Sequence, residues 1–103
     1  MKIYISGKIT GLTKEEYVFN FLEAEKHLTS QGHEVANPVK FVEGIDLNDY
    51  PKLMGKSIEE LLNCDAIYML NNWQDSKGAK TELNTAHIYE KVIIYESEAA
   101  PLF

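Results

Sequence analysis

A chain of 103 residues is the size of one domain, taken here as 1–103, and it buries roughly two-thirds of its unfolded surface around one layered core. Its 45% hydrophobic and 25% charged residues are an ordinary globular balance, and no apolar run approaches the ~20 residues that span a bilayer. The net charge of −6 argues against a general binder of nucleic-acid polymers, which needs a basic face, and leaves room for a small anionic ligand held by local dipoles.

The opening "MKIYISG" lacks the layout of a signal peptide, because its apolar stretch is short. "KIYIS" (Lys2 to Ser6) is β-branched and aromatic and reads as the first strand. The loop "GKITGLT" follows. Thr13 with Glu16 three residues on is a capping-box signal. Tyr17, Phe21, Ala24 and Leu28 then recur at helical spacing, and Gly32 closes the helix. "HEVANP" reads as a second short strand ended by Pro38. From Val39 to Pro51 the pattern predicts a loop with a helical turn. "YPKLMGKSIEELLNCD" reads as a helix with Leu53, Ile58, Leu61 and Leu62 on its apolar side. "AIYML" has no polar alternation, as expected of a strand buried on both faces. A loop over Asn71–Gly78, a helix from about Ala79 to Glu90 and a last strand "KVIIY" (Lys91 to Tyr95) complete the pattern. The tail from Glu96 to Phe103 is expected to be ordered only by a partner chain.

Strands that alternate with helices imply an α/β fold, a parallel sheet with helices on both faces. Ligands of such sheets bind beyond the carboxyl ends of the strands. The single cysteine, Cys64, rules out an internal disulfide framework and a cysteine metal cluster. A reducing cytoplasm and no metal or cofactor are the expectation. His27, His33 and His87 show no metal-ligand spacing and read as surface residues.

Glu82 is the residue that asks for an explanation. Three and four positions away on a helix lie Gly78, Ala79, Thr85 and Ala86, so no local cation pairs with it and space remains beside it. The helix N-terminus is expected to favour its anion by a few tenths to about 1 kcal/mol. A partly enclosed carboxylate beside a cleft can attack an electrophilic carbon; the plainer alternative is a solvated first-turn acid. Ser76, Lys77 and Gly78 precede the same helix, where free N–H groups hold anions or Ser76 simply caps the helix. Gly7, Lys8 and Gly11 form a second loop of this kind, without the spacing of a dinucleotide or nucleotide-triphosphate motif. Trp73, the one tryptophan, either stacks on a ligand or covers the core edge.

"IYISG", "CDAIYML" and "WQDSKGAKTE" together resemble the nucleoside 2-deoxyribosyltransferase-like superfamily, in particular its small DUF4406-type proteins. The resemblance spans Tyr4 to about Tyr95. It implies a flavodoxin-like (Rossmann-like) parallel sheet of four to five strands. It also implies an N-glycosidic bond enzyme, a deoxyribosyltransferase or a deoxynucleoside 5′-monophosphate N-glycosidase, acting on a small nucleoside or nucleotide. By this resemblance Glu82 is the nucleophile and Tyr4 stands beside it. Ser76 meets the 5′ end of the ligand, with Gly78 near it, and Gly7, Lys8, Ile9 and Thr10 line base and phosphate. Trp73 and Asp75 join the ligand-binding set, and Asp75 or a water chain would assist protonation of the leaving base. The relatives' assemblies imply a homodimer or higher homo-oligomer.

Two departures stand out. The acid that the transferases carry before the third strand falls near Ser57 here, and a serine cannot serve as that acid at neutral pH. The loop reads "GKITG" where relatives read "GPITG". The alternatives are therefore a non-catalytic nucleotide-binding module with the same pocket, or an interaction protein with a vestigial cleft.

Overall fold

The computed structural model describes residues 1–99. Of the tail 96–103, residues 100–103 lie outside the described residues. Four strands, β1 (Lys2–Ser6), β2 (Glu34–Ala36), β3 (Ala66–Met69) and β4 (Val92–Tyr95), form one all-parallel sheet in the order β2-β1-β3-β4. The helices are α1 (Lys14–Ser30), α2 (Pro38–Phe41), α3 (Tyr50–Leu62), α4 (Lys77–Ile88) and α5 (Glu96–Ala99), with a 3-10 turn over Trp73–Asp75 before α4. The fold is the parallel α/β arrangement that the alternation predicts, with four strands.

Side chains along β1 and β3 alternate between faces with period two. Ile3, Ile5, Ala66, Tyr68 and Leu70 meet Phe21, Ala24 and Leu28 of α1. Tyr4, Ile67 and Met69 meet Leu61 of α3 and Ala79, Leu83 and Ala86 of α4. α1 begins where its capping box places it: Thr13 Oγ1 accepts from the Glu16 N–H, and the Glu16 carboxylate accepts from the Thr13 N–H. It closes at Gln31, followed by Gly32 with φ +88°.

The structure departs from expectation in several places. α4 starts at Lys77 rather than Ala79, because Ser76 Oγ caps it by accepting from the Ala79 N–H at 3.1 Å. Leu62 is 37% exposed, because it turns about 100° away from Leu61, which is fully buried. Within the tail, Glu96–Ala99 forms α5, and the Glu96 carboxylate accepts from the Asn71 N–H at 2.9 Å.

The chain leaves β1 toward β2 on one side and returns to β3 on the other. This places the reversal of strand order, and hence a crevice, at the carboxyl ends of β1 and β3. α2 roofs the β2 side of the crevice. Asn37 caps it through the Val39 N–H, and Glu25 of α1 ties it down through Lys40 Nζ at 2.6 Å and Asn37 Nδ2 at 3.3 Å. Among the described residues no helix is long and apolar enough to cross a membrane.

Candidate active site

Glu82 lies on the buried stripe of α4 formed with Ala79, Leu83 and Ala86, and is 7% exposed. The stripe faces the even-numbered residues of β1. Tyr4 and Ser6 therefore both point at it, two residues apart on one face of the strand. Ser6 Oγ donates to Glu82 Oε1 at 2.6 Å, and the Tyr4 hydroxyl donates to Oε2 at 3.1 Å. Each carboxyl oxygen thus receives one neutral donor. Ser57 of α3, also buried, completes this wall.

Burial pushes the Glu82 carboxyl up to about 7, against the hydroxyls of Ser6, Tyr4 and Ser57, which favour the anion. The expected help from the helix N-terminus does not prevail. Glu82 stands beyond the first turn, where the dipole effect has largely faded. Burial first, and then the Glu82 charge, hold the Tyr4 hydroxyl well above the ordinary phenol range, so it stays protonated and donates. Near neutral pH the carboxyl is poised between acid and anion.

Tyr4, Ser57 and Glu82 form part of the wall of a cavity of about 640 Å³. Of the residues expected at a site, Tyr4, Gly7, Ile9, Thr10, Asp75, Ser76, Gly78 and Glu82 all line it. The hydroxyl of Ser76 uses a lone pair to cap α4 and keeps its proton for a further partner. The absence of a side chain at Gly78 lets α3 close over it: an added Cβ would stand 3.3 Å from the Tyr50 hydroxyl and 3.5 Å from Met54 Sδ.

Lys8 and Trp73 do not line the cavity. The Lys8 N–H donates to Asn72 Oδ1 at 3.0 Å, and its side chain runs along Gly11. Trp73 packs on the core edge against Tyr95, with ring centroids 6.0 Å apart. It takes the core-edge alternative because the 3-10 turn carries it toward β4 rather than over the strand ends.

Ser6 behind the cavity and one wall of the cavity itself were not singled out in the sequence. Ser6 had a signal, since any residue two from Tyr4 on a strand shares its face. The wall made by Val42, Leu47, Asn48, Tyr50, Leu53 and Met54 had none, because it lies largely in the weakly patterned stretch 39–51 and is brought in by tertiary packing.

A family described as "Domain of unknown function (DUF4406)" matches residues 1–95. No curated protein matches the chain. In three dimensions it is similar to the 2-deoxyribosyltransferase of the psychrotolerant bacterium Bacillus psychrosaccharolyticus, with a TM-score of 0.70 and 22% identity over 92% of this chain and 71% of that one. It is also similar to the CMP N-glycosidase BcmB of Clostridium botulinum, with a TM-score of 0.57 and 20% identity over 97% of this chain and 75% of that one. At these identities the likeness is one of fold.

Proposed function

This chain belongs to the DUF4406 family and shares its fold with enzymes of nucleoside and nucleotide N-glycosidic bonds; from that premise we propose that it breaks such a bond in a small nucleoside or nucleotide, with Glu82 as nucleophile. The observation that carries the reading is a buried carboxyl on the wall of a 640 Å³ cavity, with one hydroxyl donor on each oxygen and no cation paired with it among the described residues. A surface acid that stabilises a helix has no need of such a setting.

In this reading the ionised Glu82 attacks C1′ of the bound sugar. The bond from C1′ to the base nitrogen breaks, and a glycosyl ester forms on Glu82. Water or a second base then displaces the ester with a second inversion, the logic of retaining glycosidases. Tyr4 and Ser6 fix the carboxyl's rotamer and hold it aimed at the cavity. Ser76 and the free N–H groups of Lys77 and Gly78 at the start of α4 meet the 5′ end of the sugar. A homo-oligomer in the cytoplasm belongs to the same reading, and size-exclusion chromatography with light scattering checks the assembly.

One observation favours a second reading, a nucleotide-binding module without chemistry. Ser57 occupies the neighbourhood where the resemblance calls for an acid. The experiment that separates the two is base release from a panel of nucleosides and nucleotides that differ in base, sugar and 5′ end, followed by chromatography. Release by the wild type and a loss of at least about 10³-fold in Glu82→Ala supports the nucleophile. Release that survives the substitution removes Glu82 from that role. Intact ligand with a raised melting temperature supports the binding module.

A further inference from the structure

The cavity's charges are unevenly placed. Three lining residues carry charge, Asp75, Lys77 and Glu82, and all belong to the segment that turns into α4. Asp75 and Lys77 are exposed, whereas Glu82 is buried. The walls supplied by residues 4–57 hold no carboxyl, imidazole or ammonium group. They are mostly apolar side chains and the rings of Tyr17, Phe21 and Tyr50, and their polar groups are the tyrosine hydroxyls of Tyr4, Tyr17 and Tyr50 with Thr10, Asn48 and Ser57. With the sugar held at Glu82 and the α4 N-terminus, the base lies against these walls.

Two consequences follow from general chemistry. A neutral base that leaves with the bonding electron pair becomes an anion unless an acid protonates it, and these walls have no carboxylic acid or imidazolium to do so. A buried carboxylate, in turn, is ordinarily paired with a cation. Glu82 has only hydroxyl partners among the described residues, and the sequence contains no arginine. A ligand that carries its own positive charge meets both needs. It leaves neutral, and it pairs with Glu82 while it is bound.

We propose that the substrates of this cavity are N-glycosides whose base is a positively charged heteroaromatic ring, an N-glycosylated pyridinium being the simplest case. The proposal rests on Glu82 acting as nucleophile. A flat cation is attracted to the faces of the aromatic wall residues, and the chain's net charge of −6 draws cations toward it. A positive ring beside Glu82 also favours its ionised form, which is the form that attacks.

The step balances without an added acid. A Glu82 oxygen forms the bond to C1′, and the C1′–N bond breaks with its electron pair moving to the ring nitrogen. The ring leaves as a neutral pyridine-type base. Water then attacks C1′ of the ester, Glu82 departs as carboxylate, and the water's proton goes to solvent. The sum is cationic glycoside plus water giving base, free sugar and one proton.

The test has two arms, both at pH 8. In the first, kcat/KM for base release is compared among pyridinium, cytosine and adenine glycosides of the same sugar, for ribose and for deoxyribose, with spontaneous rates subtracted. The pyridinium glycoside is expected to exceed the neutral bases at least 100-fold, with the activity lost in Glu82→Gln. In the second, N-methylnicotinamide cation and neutral nicotinamide are compared by thermal shift. The cation is expected to raise the melting temperature of the wild type by a few degrees and leave Glu82→Gln unmoved. Neutral bases released within tenfold of the pyridinium rate, with loss in Glu82→Gln, overturn this inference and keep the nucleophile. Release that survives Glu82→Gln overturns the nucleophile itself. Equal shifts by cation and neutral ring, or a cation shift that persists in Glu82→Gln, overturn the cation's part whatever the kinetics.

Discussion

On one face of the sheet Ile3 and Ile5 meet Phe21, Ala24 and Leu28 of α1; on the other, Tyr4 and Ser6, their neighbours in sequence, meet Glu82. The same five-residue strand builds both. Its odd positions bury hydrocarbon with nothing left to satisfy. Its even positions bury hydroxyls, and those hydroxyls are aimed at a carboxyl that burial keeps from ionising freely. One face supplies stability alone, while the other gives up stability to keep a buried carboxyl in place. Substitutions that treat the two faces differently sharpen that contrast, and substitutions that fail to do so break it.

The largest expected effect is on the α1 face. Ile3 is fully buried between β2 and β3. Ile3→Ala removes most of its side chain from a packed interior and should cost about 2–5 kcal/mol in denaturant unfolding. The pH at which the remaining folded protein is half-active should not move. A shift in that pH would mean that the two faces are not separable.

On the other face Glu82→Gln should stabilise. The folded carboxyl sits at about 7, above its ordinary value of 4.5. A raised acid holds its proton more tightly in the folded state. Its contribution is therefore fully present below pH 4.5 and lost as pH rises through 7, with no further change above. The gap corresponds to about 3 kcal/mol. The neutral glutamine escapes this loss, so the variant should exceed the wild type by about 2–3 kcal/mol at pH 8 and match it near pH 4.5. Equal stability at both pH values would show that the carboxyl is not held in an unfavourable state.

Gly7 is where the faces touch, since it lines the cavity while its backbone lies against Leu70 of the α1-face cluster. A Cβ at this position would stand 2.5 Å from Leu70 Cδ1 and 2.9 Å from Leu70 Cβ. Gly7→Ala should cost about 1–3 kcal/mol by overpacking. In a double-mutant cycle with Leu70→Ala the two costs should sum to less than additive, because removing Cγ and Cδ1 relieves part of the clash while the Cβ contact stays. Additive costs would place the strain elsewhere.

The contrast between faces also explains what could be read from the sequence. β1 and β3 were legible because strands buried on both sides are uninterrupted apolar runs, and α1 because Thr13 and Glu16 form its cap. Glu82 stood out because small residues and no cation surround it on its helix. Ser6 was within reach, since it shares a face with Tyr4. The protonation balance of Glu82 was not legible. Sequence position gives the weak pull of the helix dipole, whereas the stronger push of burial comes from β1 and α3, brought to it across the fold. The wall from Val42 to Met54 was hidden for the same reason: its part before α3 lacks a regular pattern, and the packing of α2 and α3 sets which side chains reach the cavity. Trp73 and Lys8 were drawn into the expected site by closeness in sequence, and local turns direct them away from the cavity.

The smallest effect asks whether the two hydroxyls on the chemical face do more than fill space. If ionised Glu82 is the nucleophile, kcat/KM should fall about tenfold per pH unit below about 7 and level off above it. Ser6 opposes burial more strongly than Tyr4, and its bond to the carboxyl is the shorter, at 2.6 Å against 3.1 Å. A hydrogen bond contributes about 1.5–3 kcal/mol to a charged group and about 0.5–1.5 kcal/mol to a neutral one, so Ser6→Ala, which loses the difference, should move the acidic limb about one unit toward higher pH. Tyr4→Phe should move it in the same direction by less. Stability would change little in Ser6→Ala at pH 5, where the carboxyl is mostly protonated and can donate to other partners or to water. A limb that stays near 7 in both variants, with only the plateau lowered, would mean that the hydroxyls position the carboxyl without setting its charge. The even face of β1 would then be a geometric device rather than an electrostatic one.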